Sequence, residues 1–104
     1  MTNIFYVTVK GKSADEAFDT AVNEARKEHI TDAGASGSIA EKQEYMTFIG
    51  HVSYDPDGTR EMAERLMTTP SVVRDMLADG YGPAGCIYIG ESEYLFFGTS
   101  FSSD

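Results

Sequence analysis

The feature that most constrains this fold is an opening strand that is apolar on both sides. Asn3-Ile4-Phe5-Tyr6-Val7-Thr8-Val9-Lys10 is rich in residues that favour a pleated surface. Alternation puts Phe5, Val7 and Val9 on one face and Ile4, Tyr6 and Thr8 on the other. Two partly apolar faces are expected of a strand in the interior of a sheet. Gly11 ends the strand. Ser13-Ala14-Asp15-Glu16 then reads as a capping box, in which the Ser hydroxyl accepts from the N–H three residues on and the Glu side chain reaches back. Ala14, Ala17, Phe18, Ala21, Val22 and Ala25 recur at three- and four-residue spacing, which predicts a helix over 14–29. Its acids, Asp15, Glu16 and Asp19, lie near the start, and Arg26, Lys27 and His29 lie near the end. Both placements suit the helix dipole. The small Ala side chains let this helix lie close to a sheet.

Residues 31–37 have loop chemistry, with two Gly and no apolar periodicity. A second strand is predicted from Ser38 through Lys42, and Glu44 to Ile49 continues it or begins a third. His51-Val52-Ser53-Tyr54 follows, with His51 at a strand edge. Asp55-Pro56-Asp57-Gly58 reads as a turn. A second helix is expected over 59–67, capped by Asp57 or Thr59, with Met62, Ala63, Leu66 and Met67 on its apolar face. Pro70 breaks it, and Thr69 as cap with Pro70 in first position starts a short third helix bearing Val72, Val73, Met76 and Leu77. Gly80 suits its exit. Tyr81 to Gly85 is a rigid turn. Cys86–Ile89 and Tyr94–Phe97 read as two strands joined at hairpin length through residues 90–93. The tail from Ser100 to Asp104 is expected to fray.

The resulting order is β-α-β(β)-α-α-β-β in a single domain over 1–104. It predicts an α+β fold: a mostly antiparallel sheet of four to five strands with helices packed on one face. The first two strands are expected to run parallel across the first helix.

Composition narrows function. Seventeen acids stand against eight bases, a net charge of −9. Such a chain repels phosphate backbones, so direct nucleic-acid binding is not expected. An acidic balance also simply keeps a small protein in solution. No apolar run approaches membrane-spanning length, and the N-terminus has no secretory pattern. One cysteine, Cys86, cannot form an internal disulfide, which fits a reducing, cytoplasmic setting. His29 and His51 fall in no two-ligand spacing, and no Cys/His cluster exists, so no metal or cofactor is expected. Cys86 sits in an apolar strand and reads as a buried, inert thiol. No nucleophile motif is present, and Gly80 to Gly85 precedes a strand rather than the helix N-terminus a phosphate loop needs.

The acids remain. Asp15, Glu16 and Asp19 line the outside of the first helix; Glu61 and Glu64, with Asp57, do the same on the second. Side by side, the two helices would make one negative surface.

Two stretches carry a resemblance. One is the capped helix followed by Gly37-Ser38-Ile39-Ala40-Glu41-Lys42. The other is Tyr81-Gly82-Pro83-Ala84-Gly85-Cys86-Ile87 with Leu95-Phe96-Phe97-Gly98. Over about half the chain these resemble small proteins encoded by tailed bacteriophages, although members carry a Trp near the second stretch and this chain has none. The opening strand, Ala-rich helix and Gly-Ser-Ile segment also look like the start of some small anti-CRISPR proteins. The resemblance implies a phage or prophage origin; together with small size, acidity and the absence of catalytic motifs it leads to the expectation of a phage-encoded, non-enzymatic inhibitor of a bacterial defence complex in the host cytoplasm. Asp15, Glu16, Asp19, Glu61 and Glu64 would meet the basic surface that holds nucleic acid in that complex. The alternatives are a small-ligand module lined by Tyr88, Tyr94 and Phe96, and a phage structural or assembly protein. A homodimer through exposed aromatic residues is a further expectation.

Overall fold

The computed structural model describes residues 2–28, 39–48 and 56–101. It has strand β1 (Thr2–Lys10), helix α1 (Ala14–Glu28), a 3-10 turn (Ile39–Glu41), strand β2 (Tyr45–Phe48), helices α2 (Pro56–Thr68) and α3 (Val72–Ala78), and strands β3 (Ala84–Gly90) and β4 (Glu93–Phe101). The α+β class and the order of elements are as the sequence predicts.

One four-stranded sheet runs in the order β1-β4-β3-β2. β4 pairs antiparallel with both β1 and β3, while β2 lies parallel to β3. β1 and β2 therefore run in the same direction, but at opposite edges with two strands between them. β3 and β4 close in a tight hairpin whose loop residues, Glu91 and Ser92, have φ of 53° and 63°. Two consecutive left-handed residues match the twist of a two-residue hairpin.

The helices cover both faces, not one. Phe5 and Val9 of β1, Ala84 and Cys86 of β3 and Phe96 of β4 share one face, which packs against Ala17, Phe18, Ala21 and Val22 of α1 and Ile39 of the 3-10 turn. Ile87, Ile89, Leu95 and Phe97 point the other way, onto Ala63 and Met67 of α2 and Leu77 of α3. This corrects the position of β1 as well. Its two apolar faces do not make it an interior strand. It is an edge strand: α1 buries Phe5 and Val9 on one face, while on the other Tyr6 packs toward the α2 side and Ile4 stays 58% exposed.

Local chemistry explains the element ends. Ser13 Oγ accepts from the Glu16 N–H at 3.2 Å, as a capping box requires, but the Glu16 carboxylate reaches to the Lys12 N–H at 3.4 Å. α2 starts at Pro56, so Pro56-Asp57-Gly58 forms a first helical turn instead of the expected loop. Pro is suited to that position because its missing N–H would be unpaired there. The cap of α3 is Ser71, whose hydroxyl accepts from the Arg74 N–H at 3.0 Å, and not Thr69. The strand expected over 38–42 is replaced, from Ile39 on, by the 3-10 turn Ile39–Glu41, which buries Ile39 completely. β4 continues through Phe101 and Ser100 is fully buried, so the chain does not fray from Ser100. The loop over 31–37, His29, the segment from His51 to Tyr54 and the last three residues lie outside the described residues.

Gly85 is required by packing. A Cβ there would come within 2.4 Å of the end of the Phe97 ring. Gly82 is required by the turn after α3, where a Cβ would meet the Met76 carbonyl at 2.3 Å.

Candidate functional site

The Ala-rich face of α1 lets the helix settle on the sheet, and this brings its first turns beside the start of β2. Phe18 packs on Tyr45 with ring centroids 4.9 Å apart, and both rings lean on the buried Phe96 at 5.5 and 5.7 Å. The Tyr45 hydroxyl donates to the Asp15 carboxylate across the gap. Burial first, then that bond, raises the Tyr45 pKa well above the ordinary phenol value. Beside this aromatic floor opens a groove of about 630 Å³, lined by Asp15, Phe18, Asp19, Gln43, Glu44 and Tyr45.

The groove gathers three carboxylates. Asp15 and Asp19 are one helical turn apart on the same stripe. Glu44 comes from the link into β2, and no basic side chain among the described residues lines the groove. Lys42, two residues before Glu44, is turned away. It is 2% exposed, and its Nζ donates to the carbonyls of Asp79, Gly80 and Gly82 at 3.4, 3.3 and 2.8 Å. Burial lowers its pKa, and the nearby Asp79 partly offsets the drop. Its charge is therefore spent on the turn between α3 and β3 and does not neutralise the groove.

The five acids singled out in the sequence do not form one surface. Asp15 and Asp19 line the groove, while Glu16, also on α1, bonds back to Lys12. Glu61 and Glu64 lie on α2, on the opposite side of the sheet. There Glu61 pairs with Arg65 at 3.0 Å and Glu64 with Arg60 at 3.4 Å, so each carboxylate has a cation one helical turn away. Exposed pairs of this kind add only tenths of a kcal/mol. They do mask the charge locally. Glu44 is the residue that sequence reasoning missed. It is remote from α1 in the chain, and no local pattern marks it.

Among the described residues, Tyr88, Tyr94 and Phe96 line neither this groove nor the one along α2. Phe96 is fully buried, and Tyr88 and Tyr94 rest on each other with centroids 5.1 Å apart. A separate apolar groove of about 390 Å³ runs along Met62 and Leu66 of α2 toward Ser71.

Cys86 is wholly buried, and desolvation pushes its thiol up to about 12, against a small opposing bond from Thr47. The thiol is expected to stay silent to an aromatic disulfide reagent at pH 8 and to react once the protein is unfolded. The same shift fixes a pH limit. The folded state holds the Cys86 proton above the ordinary thiol value of 9.0, and the phenol protons of Tyr45, Tyr94 and Tyr6 above 10.0. Above pH ~9 the unfolded chain therefore binds fewer protons, and stability falls as pH rises. Lys42, with its pKa lowered from 10.5, works in the opposite sense but is one group against four. Stability should be full below pH ~9 and decline toward pH 12, as denaturant midpoints across that range will show.

Among the described residues no three His, Cys, Asp or Glu side chains are arranged to hold a metal ion, and no helix is long and apolar enough to cross a membrane. The chain matches no protein-family model, and it has no match among curated proteins or solved structures.

Proposed function

We propose that this is a non-enzymatic binding protein that docks its α1 groove onto a basic, nucleic-acid-handling surface of another protein. The observation that carries this reading is the convergence of Asp15, Asp19 and Glu44 on one open groove that no basic side chain among the described residues lines. Like charges one helical turn apart repel, and an incoming Lys or Arg relieves that repulsion. The half-buried Tyr45 ring in the groove wall adds a flat face against which a guanidinium packs. The geometry favours Arg over Lys for this reason, since a planar fork can bond two carboxylates while stacking. The resemblance to small phage and anti-CRISPR proteins points to a bacterial defence complex as the partner. The account thus moves the contact surface from two helices to one helix and the start of β2.

The test is a charge-reversal comparison. Asp19→Lys combined with Glu44→Lys should weaken partner binding by about 100-fold, or ~2.7 kcal/mol. Glu61→Lys combined with Glu64→Lys should change it by less than about threefold. Calorimetry on the purified pair reads both. Equal losses in the two variants would show that net charge alone, and not the groove, drives binding.

A further inference from the structure

We propose that β1 is a self-association edge, along which a second copy of this chain adds antiparallel to extend the sheet. β1 is nine residues long, about 30 Å. It pairs with β4 at every position from Thr2 to Lys10 with no register shift. The Gly11 N–H donates to the Ser92 carbonyl, which sets the alternation of the ladder. Asn3, Phe5, Val7 and Val9 therefore bond to β4. The N–H and C=O groups of Ile4, Tyr6, Thr8 and Lys10 point away from it, toward an edge to which no described residue bonds. Edge strands are normally guarded by proline, bulges or inward-pointing charges. β1 has no proline and no bulge, and its one charge is the terminal Lys10.

The occupant this edge fits is its own copy. A partner strand must offer apolar side chains on both faces at two-residue spacing, because both sides of the sheet are apolar here. β1 itself has that pattern. A two-fold pairing centred on Phe5 sets Ile4 opposite the second copy's Tyr6, and Tyr6 opposite its Ile4. The outward groups of the two strands then bond to each other. Ile4, 58% exposed in the single chain, would be covered twice over in the pair. Charge points the same way. The chain carries a net −9, yet β1 contains no carboxylate, so two strands can meet without opposed acids. The strand alone buries less than a standard interface, so the dimer should be weak and concentration-dependent. It would also repeat the α1 groove on one side of a continuous sheet, giving two docking sites per particle.

The experiment is sedimentation equilibrium of the full chain from ~10 µM to ~1 mM, a range that brackets a weak dimer. The apparent mass should climb from 11.4 kDa toward twice that value. Ile4→Lys and Thr8→Pro act on exposed edge positions, and Pro is tolerated on an edge whose N–H faces solvent. Each should weaken the dimer at least tenfold while the melting temperature stays within a few degrees. Val72→Lys, on the exposed surface of α3, should leave it unchanged. A chain that stays at 11.4 kDa throughout would overturn the proposal, as would a dimer that survives both edge variants or is lost in Val72→Lys.

Discussion

Phe96→Ala is expected to lower the stability of the folded protein by about 3–5 kcal/mol. Phe96 is fully buried and packs under Phe18 of α1, Tyr45 of β2 and Tyr94 of its own strand. Truncation removes a large apolar side chain and leaves a cavity that these rings, pinned to three different elements, cannot close. A domain of this size holds about 5–15 kcal/mol in all, so the loss is a large fraction of the total. The melting temperature should fall by roughly 15–30 °C. The same change removes the floor beneath Phe18 and Tyr45, so whatever remains folded should also lose groove binding. Tyr88→Ala is the control: Tyr88 is 44% exposed, and its loss should cost about 1 kcal/mol or less. Thermal melts of the two variants give the comparison directly.

Lys42→Met is expected to cost about 3 kcal/mol, although it keeps most of the side chain's apolar bulk. The ammonium joins the 3-10 turn to the loop after α3 through the carbonyls of Asp79, Gly80 and Gly82. Met fills the space but donates no hydrogen bond, so carbonyls in and around a buried site are left without their donor. Lys42→Arg is not a rescue here, since a planar fork cannot reproduce a point charge held among three acceptors. Chemical denaturation should show both variants with lowered midpoints and an unchanged slope. A Met variant as stable as the parent would mean that the lysine is held by packing alone.

The two cases differ in how far the sequence foretold them. Phe96 stands in an apolar run between turn signals, and its burial follows from that pattern. Lys42 follows the apolar Ile39-Ala40 pair, where β-propensity suggested a strand. Nothing local shows that its amine reaches a loop some 40 residues away. Element order was legible because capping residues, Gly and Pro punctuate the chain at nearly every junction. The layering was not. The alternation of β1 revealed two partly apolar faces, but that pattern alone does not separate an interior strand from an edge strand whose second face is left partly open. The site divided in the same way. Asp15 and Asp19 are recognisable as an acidic helical stripe, whereas Glu44 joins them only through the long-range packing of Phe18 on Tyr45. Glu61 and Glu64 looked equivalent to them in the sequence. Separation by the sheet, with Arg65 and Arg60 one helical turn away, makes them different.

On the proposed reading the docking surface lies on the α1 side of the sheet, while on α2 the carboxylates of Glu61 and Glu64 pair with Arg65 and Arg60. A chain with a net −9 would then present a specific surface and not a diffuse cloud of acids. Its specificity would come from carboxylates concentrated beside the Tyr45 ring.

The measurement that bears most directly on the central claim is capture of partners from bacterial lysate on the tagged protein, run in parallel with the Asp19→Lys/Glu44→Lys and Glu61→Lys/Glu64→Lys variants. The account predicts that the parent and the α2 variant retain a nucleic-acid-handling protein at low salt. That protein should be released at ~1 M salt, where screening falls to about 3 Å, and by a single-stranded oligonucleotide competitor. The groove variant should retain none of it. Retention of the same partner by the groove variant, or a partner indifferent to salt and oligonucleotide, would contradict the assignment of the α1 groove as an electrostatic docking site.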